Sequence, residues 1–204
     1  MTQYAPVYTS MECEVDQEYN DEPYAIFWGV NWRNNNIKSF VRKTSVYKYV
    51  DDEERRGAYY GGDDKVLTTT GKWETIDRTK HFILVQAMEN DKGSPKYIVR
   101  ALRMLLPIDI TPLILEGKSE DDIVEAAKKF MKRRIDQFRG VGGHAIKSFL
   151  EGKIDVVDIL LSSINEDDRV GDPQVLPLRG DKQELRFSSS DYGTYIYKFN
   201  IQSR

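Results

Sequence analysis

The sequence predicts an α+β fold, a mainly antiparallel β-sandwich with a helical block inserted around residues 96–150. Three observations carry that expectation. Segments rich in aromatic and β-branched residues lie on either side of the middle, at Tyr24–Trp32, His81–Met88 and Thr194–Gln202. Between the last two the apolar spacing changes to that of helices. The resulting order of strands, helices and strands belongs to domains whose helices pack on one side of an antiparallel sheet. The chain has 204 residues, long enough for one domain with a full core. Residues 90–95 lack linker composition, so the expectation is a single domain over 1–204, with β elements in 1–95 and 151–204 and the helices between.

Taken in order, residues 1–23 are polar and acidic and read as an extended segment plus a loop. Tyr24–Trp32 is apolar on both faces, as in a central strand covered on both sides. Asn34, Asn35 and Asn36 make a turn. Ser45–Val50 is a strand candidate, residues 51–64 a charged loop, Lys65–Thr70 a short strand, and Gly71–Lys80 a connector carrying Trp73. His81–Met88 is the clearest buried strand, with Phe82, Leu84 and Met88 facing one way and Ile83, Val85 and Ala87 the other.

Lys96–Leu106 has helical spacing at Ile98, Ala101, Leu102, Leu105 and Leu106, and is expected to stop at Pro107. Ser119–Phe138 is the best helix. Ser119 is its N-cap, and Glu120, Asp121 and Asp122 fill the first turn, where the dipole favours negative charge. Ile123, Ala127, Phe130, Met131, Ile135 and Phe138 form its apolar stripe. Gly140, Gly142 and Gly143 end it, and Ala145–Leu150 reads as a short helix. Ile154–Ile164 fits either a strand or a helix. Gln174–Leu178 and Leu185–Phe187 read as short strands, Ser188–Gly193 as a turn, and Thr194–Gln202 as a strongly alternating last strand with Tyr195, Tyr197, Phe199 and Ile201 on one face.

Composition narrows the function classes. The formal net charge is −3, which argues against a general nucleic-acid binder. Cys13 is the only cysteine, so no intrachain disulfide forms and no multi-cysteine metal site exists. No basic stretch followed by an apolar one opens the chain, and no apolar run approaches the roughly 20 residues of a membrane span. The expected location is the cytoplasm, or outside the cell by export without a visible signal peptide.

The functional hint is acidic. Apolar runs stop at carboxylate-rich, Gly- and Pro-punctuated stretches near residues 89–95 and 165–173, and a third acidic cluster, Glu12–Glu22, precedes Tyr24. Calcium takes six to eight oxygen ligands, favouring carboxylates on loops. Glu14, Asp16, Asp21 and Glu22 from one loop, Asn90 and Asp91 from a second, and Asp167 and Asp168 from a third would supply them if they meet at one end of the sandwich. This is similar in layout, though not in motif, to the loop-borne calcium sites of C2-type β-sandwiches. The plain alternative is that these are solvated turn residues, since Asp, Asn, Gly and Pro mark turns for backbone reasons alone.

Other motifs carry less. The run KKFMKRR on the long helix suits an anionic lipid or nucleic-acid surface, but its position also follows from the helix dipole. GVGGH at Gly140–His144 lacks the Lys-Ser/Thr pair and preceding strand of a phosphate-binding turn. His81 and His144 are the only histidines, and no nucleophile context accompanies either. Tyr24, Phe27, Trp28 and Trp32 read as core residues. The expected function is therefore a non-enzymatic binding module, holding calcium through its acidic loops and engaging a membrane or protein partner. The alternatives are a metal-free acidic interaction or inhibitor protein, and a carboxylate-dependent hydrolase.

Overall fold

A computed structural model describes residues 3–15, 22–33, 36–48, 50, 54–57, 66–75, 77, 79–90, 95–138, 151 and 168–203. In chain order the elements are β1 (Gln3–Val15), β2 (Pro23–Asn31), β3 (Lys38–Lys43), β4 (Arg55–Gly57), β5 (Glu74–Thr75), β6 (His81–Glu89), α1 (Pro95–Leu115), α2 (Glu120–Phe138), β7 (Asp168–Val175), β8 (Lys182–Ser189) and β9 (Gly193–Ser203). Two sheets form, one ordered β4-β1-β9-β8 with β5 also on β1, the other ordered β3-β2-β6-β7. Every strand pairing is antiparallel. The expected α+β sandwich with its helical insertion is thus observed.

The second sheet is the middle of a three-layer stack, and alternation along its strands builds two cores. Tyr24, Ile26, Trp28 and Val30 of β2, with Phe82, Leu84 and Met88 of β6, pack under the helices against Ile98, Leu102, Leu106, Ile123, Met131 and Ile135. The intervening Ala25, Phe27, Ile83, Val85 and Ala87 face the first sheet and meet Tyr8, Met11, Tyr195, Tyr197 and Phe199. The rings of Tyr8, Phe27 and Phe199 sit 5.6 to 6.0 Å apart across that gap. A strand buried on both faces must be apolar on both, which is why β2 and β6 show no polar alternation. Each fully buried side chain of this size contributes about 1.5–3 kcal/mol.

Several local expectations change. The acidic N-terminal segment contains a 13-residue strand, β1. Register shifts between Tyr8 and Ser10 and between Cys13 and Val15 mark bulges, so the residues that face the other sheet run Tyr4, Tyr8, Met11, Cys13 and do not keep one alternation. A bulge inserts one residue and inverts the facing of everything after it.

The strand expected at Ser45–Val50 lies earlier, at β3. From Thr44 onward the chain leaves the ladder. The Thr44 hydroxyl oxygen accepts the Ala25 amide at 3.0 Å, the Thr44 amide donates to the Ala25 carbonyl at 2.9 Å, and the Tyr47 amide to the Pro23 carbonyl at 3.0 Å. The strap so formed carries Tyr47 and Val50 into the core between the sheets. Of the strand expected at Lys65–Thr70, only Val66 pairs among the described residues, through an isolated bridge to Val7; Lys65 lies outside them. The following turn has Gly71 at φ 71°, a left-handed conformation that favours glycine.

Helix α1 does not stop at Pro107. It runs through Pro107 and Pro112 to Leu115. Each interior proline removes one backbone bond and costs about 3 kcal/mol. The stripe Ile98, Ala101, Leu102, Leu106, Ile110 and Ile114 continues unbroken past both and is buried throughout, which outweighs that cost. The helix ends in a Schellman turn: the Lys118 amide reaches the Leu113 carbonyl at 3.2 Å and the Gly117 amide reaches Ile114 at 3.1 Å, with Gly117 at φ 71°.

Ser119 caps α2 as expected, its Oγ accepting the Asp122 amide at 3.2 Å. Phe130 is half-buried rather than core, with the Arg133 guanidinium 5.2 Å from its ring. Arg134 forks onto Asp109 of α1 at 2.7 and 2.8 Å and fixes the two helices together. Among the described residues no helix is long and apolar enough to cross a membrane. The readings of Asn34 and Asn35, Gly140–His144, Ala145–Leu150 and Ile154–Ile164 fall outside the described residues.

Candidate functional site

The ladder of the middle sheet brings two of the acidic stretches together with a third. Pro23 pairs with Glu89, and Glu89 pairs with Asp168. The start of β2, the end of β6 and the start of β7 therefore lie side by side, at one end of the sandwich. There the Glu22 amide donates to Glu89 Oε1 at 2.7 Å, Asn90 Nδ2 donates to Glu22 Oε2 at 2.7 Å, and the Asn90 amide donates to the Glu22 carbonyl at 3.2 Å. The Tyr192 hydroxyl, from the turn between β8 and β9, donates to Asp168 Oδ2. Glu89 and Asp168 are only 3% and 7% exposed.

Of the expected ligands, Glu22 and Asn90 are in contact, and Asp168 stands opposite Glu89 on the next strand. Glu89, part of the second acidic stretch, joins them. Glu14 goes elsewhere and pairs with Arg186 of β8. Asp16, Asp21, Asp91 and Asp167 lie outside the described residues. Among the described residues no group of three His, Cys, Asp or Glu side chains is arranged to hold a metal ion. The cluster presents hard oxygen donors, the class calcium prefers, and protein hydrogen bonds already engage several of them. Just inside, burial pushes the Tyr197 phenol well above its ordinary range, with Tyr47, Glu89 and Cys13 adding to the effect, so it stays neutral. Asp168 does not sit on a loop as expected; it opens a strand. Arg169 beside it, bound to Asp136 of α2 at 2.6 Å, anchors that strand to the helical layer.

The opposite end of the sandwich holds a feature that sequence reasoning missed. A cavity of about 360 Å³ is lined by Asn31, Arg33, Asn36, Lys38, Thr69, Thr70, Glu74 and Thr75. Glu74 accepts hydrogen bonds from the Thr69 hydroxyl and the Thr70 amide, both at 2.6 Å. Burial alone would raise its pKa, but these bonds outweigh burial and hold it below the ordinary carboxylate value. His81 opens β6 here, 3% exposed. Its two ring nitrogens have no hydrogen-bond partner among the described residues. Burial lowers its pKa to about 4 against a weaker opposing pull from Glu74, so the ring is neutral at pH 7. The cavity is built from common turn residues far apart in the chain, and no spacing rule in the sequence points to it.

Compared with known proteins, the chain gives no significant match to any family model, curated protein or solved structure. The structure defines its class as a β/β/α layered domain with a polar feature at each end.

Proposed function

We propose that this chain is a non-enzymatic binding module that takes calcium at the acidic end of its sandwich. The observation that carries the reading is the register Pro23–Glu89–Asp168, which gathers Glu22, Glu89, Asn90 and Asp168 at adjacent strand ends. Carboxylates held this close repel one another, and a divalent cation between them relieves that repulsion. The remaining ligands come from Asp16, Asp21, Asp91 and Asp167 in this reading. Thermal melts in excess calcium and in chelator test it. Binding to the native state raises the melting temperature by mass action, by the equivalent of about 2.7 kcal/mol at a hundred-fold excess over Kd. The rise is expected to shrink in Glu22→Gln. Identical melts with and without calcium remove the metal and leave a metal-free interaction protein.

A specific observation favours an anionic membrane surface as the partner. Lys96, Arg100, Met104, Ile108 and Pro112 stand four residues apart on α1, all exposed, in one i, i+4 row that winds obliquely around its solvent side. Met104, Ile108 and Leu115 are 49%, 67% and 66% exposed. Lys129 and Arg133 of α2 are exposed as well. A helix that offers bases and apolar side chains together suits the headgroup boundary of an anionic bilayer. The solvent face of the first sheet has another character, with acids and bases paired as in Glu12–Lys198 and Glu14–Arg186. The chain is expected to sediment with vesicles containing phosphatidylserine and not with pure phosphatidylcholine. Met104→Glu with Ile108→Glu is expected to abolish this, the melt being unchanged. Sedimentation indifferent to those substitutions would remove the helical face as the contact.

A further inference from the structure

We infer that calcium at the acidic end strengthens the hold of the helical face on an anionic bilayer, because the carboxylates it neutralises stand beside the bases of that face. This regulation rests on the calcium and membrane readings above.

The chain path puts the two sites next to each other. Lys96 follows Asn90 by six positions, so the two backbones lie within about 20 Å at most. Arg100 is one turn further along α1. Strand β7 opens with Asp168 and is tied to the C-terminal half of α2 by two ion pairs, Arg169 Nε to Asp136 Oδ1 at 2.6 Å and Lys132 Nζ to Asp172 Oδ1 at 2.7 Å. Arg133 stands one turn before Asp136, and Lys129 one turn before that. Lys96, Arg100, Lys129 and Arg133, all exposed, thus border the strand ends that carry Glu22, Glu89 and Asp168. Helix α1 then leads away from that end, for Glu120, just beyond it, is within electrostatic reach of Asp77, near the start of β6.

Two oxygens at the acidic end point to a cation. Asn90 Oδ1 is buried and finds no hydrogen-bond partner among the described residues, while Asn90 Nδ2 is held by Glu22. The Tyr197 hydroxyl is fully buried and likewise finds none. It faces the space between the sheets, within electrostatic reach of Glu89. Buried oxygens of this kind normally have a partner. Calcium serves them directly or through its waters, since its shell mixes carboxylates with neutral oxygens.

A bilayer that attracts the four bases repels the neighbouring carboxylates. Calcium brings two positive charges to those carboxylates and removes the repulsion. The coupling acts over a distance comparable to the range of charge in salt, about 8–10 Å under physiological conditions and about 30 Å at ten-fold lower ionic strength or less. It is therefore modest in physiological salt and larger in dilute buffer. Linkage makes it reciprocal: lipid tightens calcium by the same factor as calcium tightens lipid.

The test uses the full chain and vesicles containing phosphatidylserine, with calcium or chelator, at two salt concentrations. Bulk calcium screens the vesicle surface and by itself weakens attachment, so the expected rise has the opposite sign. Calcium is expected to tighten attachment about three-fold in physiological salt and about ten-fold or more in dilute buffer. Calorimetry is expected to show vesicles tightening calcium by the same factors. Glu22→Gln and, as a second variant, Asp168→Asn each remove one of the repelling charges. In chelator both are expected to hold vesicles more tightly than wild type, and in calcium to gain little further. A calcium-raised melt with unchanged or weaker attachment overturns the coupling and leaves the calcium reading standing. An equal rise in both variants, or one that does not shrink with salt, places calcium on the lipid and also overturns it. Melts indifferent to calcium remove the reading beneath it, and the coupling with it.

Discussion

Trp28→Ala is expected to lower the unfolding free energy by about 3–5 kcal/mol. Trp28 sits at the centre of β2, paired with Val41 and Leu84 on its two sides, and is fully buried beneath the helices. Its ring meets Phe82 edge-on, 5.6 Å between centroids and 88° between planes. Removing it empties the centre of the helix-facing core, and the surrounding sheet is too well fixed to collapse into the space. The indole nitrogen has no hydrogen-bond partner among the described residues. Trp28→Phe is therefore expected to lose much less, since it retains most of the apolar volume and removes the unmet donor. Urea unfolding of the two variants reads the difference. A loss below about 1 kcal/mol for alanine, the range of tolerated repacking, would mean that the helices are not clamped to the sheet through this residue.

The second large effect concerns pH. Unfolded, His81 titrates near 6.5; folded, burial brings it to about 4. Above pH 6.5 the ring is neutral in both states and makes no difference to stability. As pH falls from 6.5 toward 4, the unfolded chain takes up a proton that the native chain refuses, so stability drops. The gap amounts to about 3 kcal/mol by pH 4 and grows no further below it. Carboxylates titrate in part of this window too, so the comparison is with His81→Phe, which lacks the His81 contribution. Denaturant melts at pH 7, 5.5 and 4 are expected to show wild type losing ground to the variant as pH falls. Parallel pH profiles would show that His81 is protonated in the native state and solvated after all.

How much of this was legible depended on whether local pattern and tertiary setting agreed. They agreed in β6, whose two facings separate into the two cores as the alternation implied. They agreed in α2, where cap, dipole and stripe all point the same way, and in β9, which alternates without interruption. They disagreed in β1, where the bulge after Tyr8 inverts the facing and hides the period. In α1 the prolines outrank the stripe on any local rule, and only burial against the sheet reverses the order. Thr44 ended β3 by exchanging a side-chain hydroxyl for a backbone partner, a substitution that leaves no trace in periodicity. At the acidic end, the apolar run that stops in Glu89 is β6, whereas Asp168 opens a strand instead of closing one. Which strands are neighbours was not legible, since register is fixed by long-range packing. The cavity was invisible because Asn, Thr and Lys in loops are ordinary until the fold sets them around one space.

The pairing of Glu89 with Asp168 has a consequence for the engineering of this chain. Strands β6 and β7 are antiparallel neighbours whose ends meet, so a tight hairpin would connect them with the strand order intact. The two helices α1 and α2 between them are an insertion at that point of the β framework. The helices keep one side of the middle sheet dry, so a different cover of equal apolar area could take their place without redrawing the β framework.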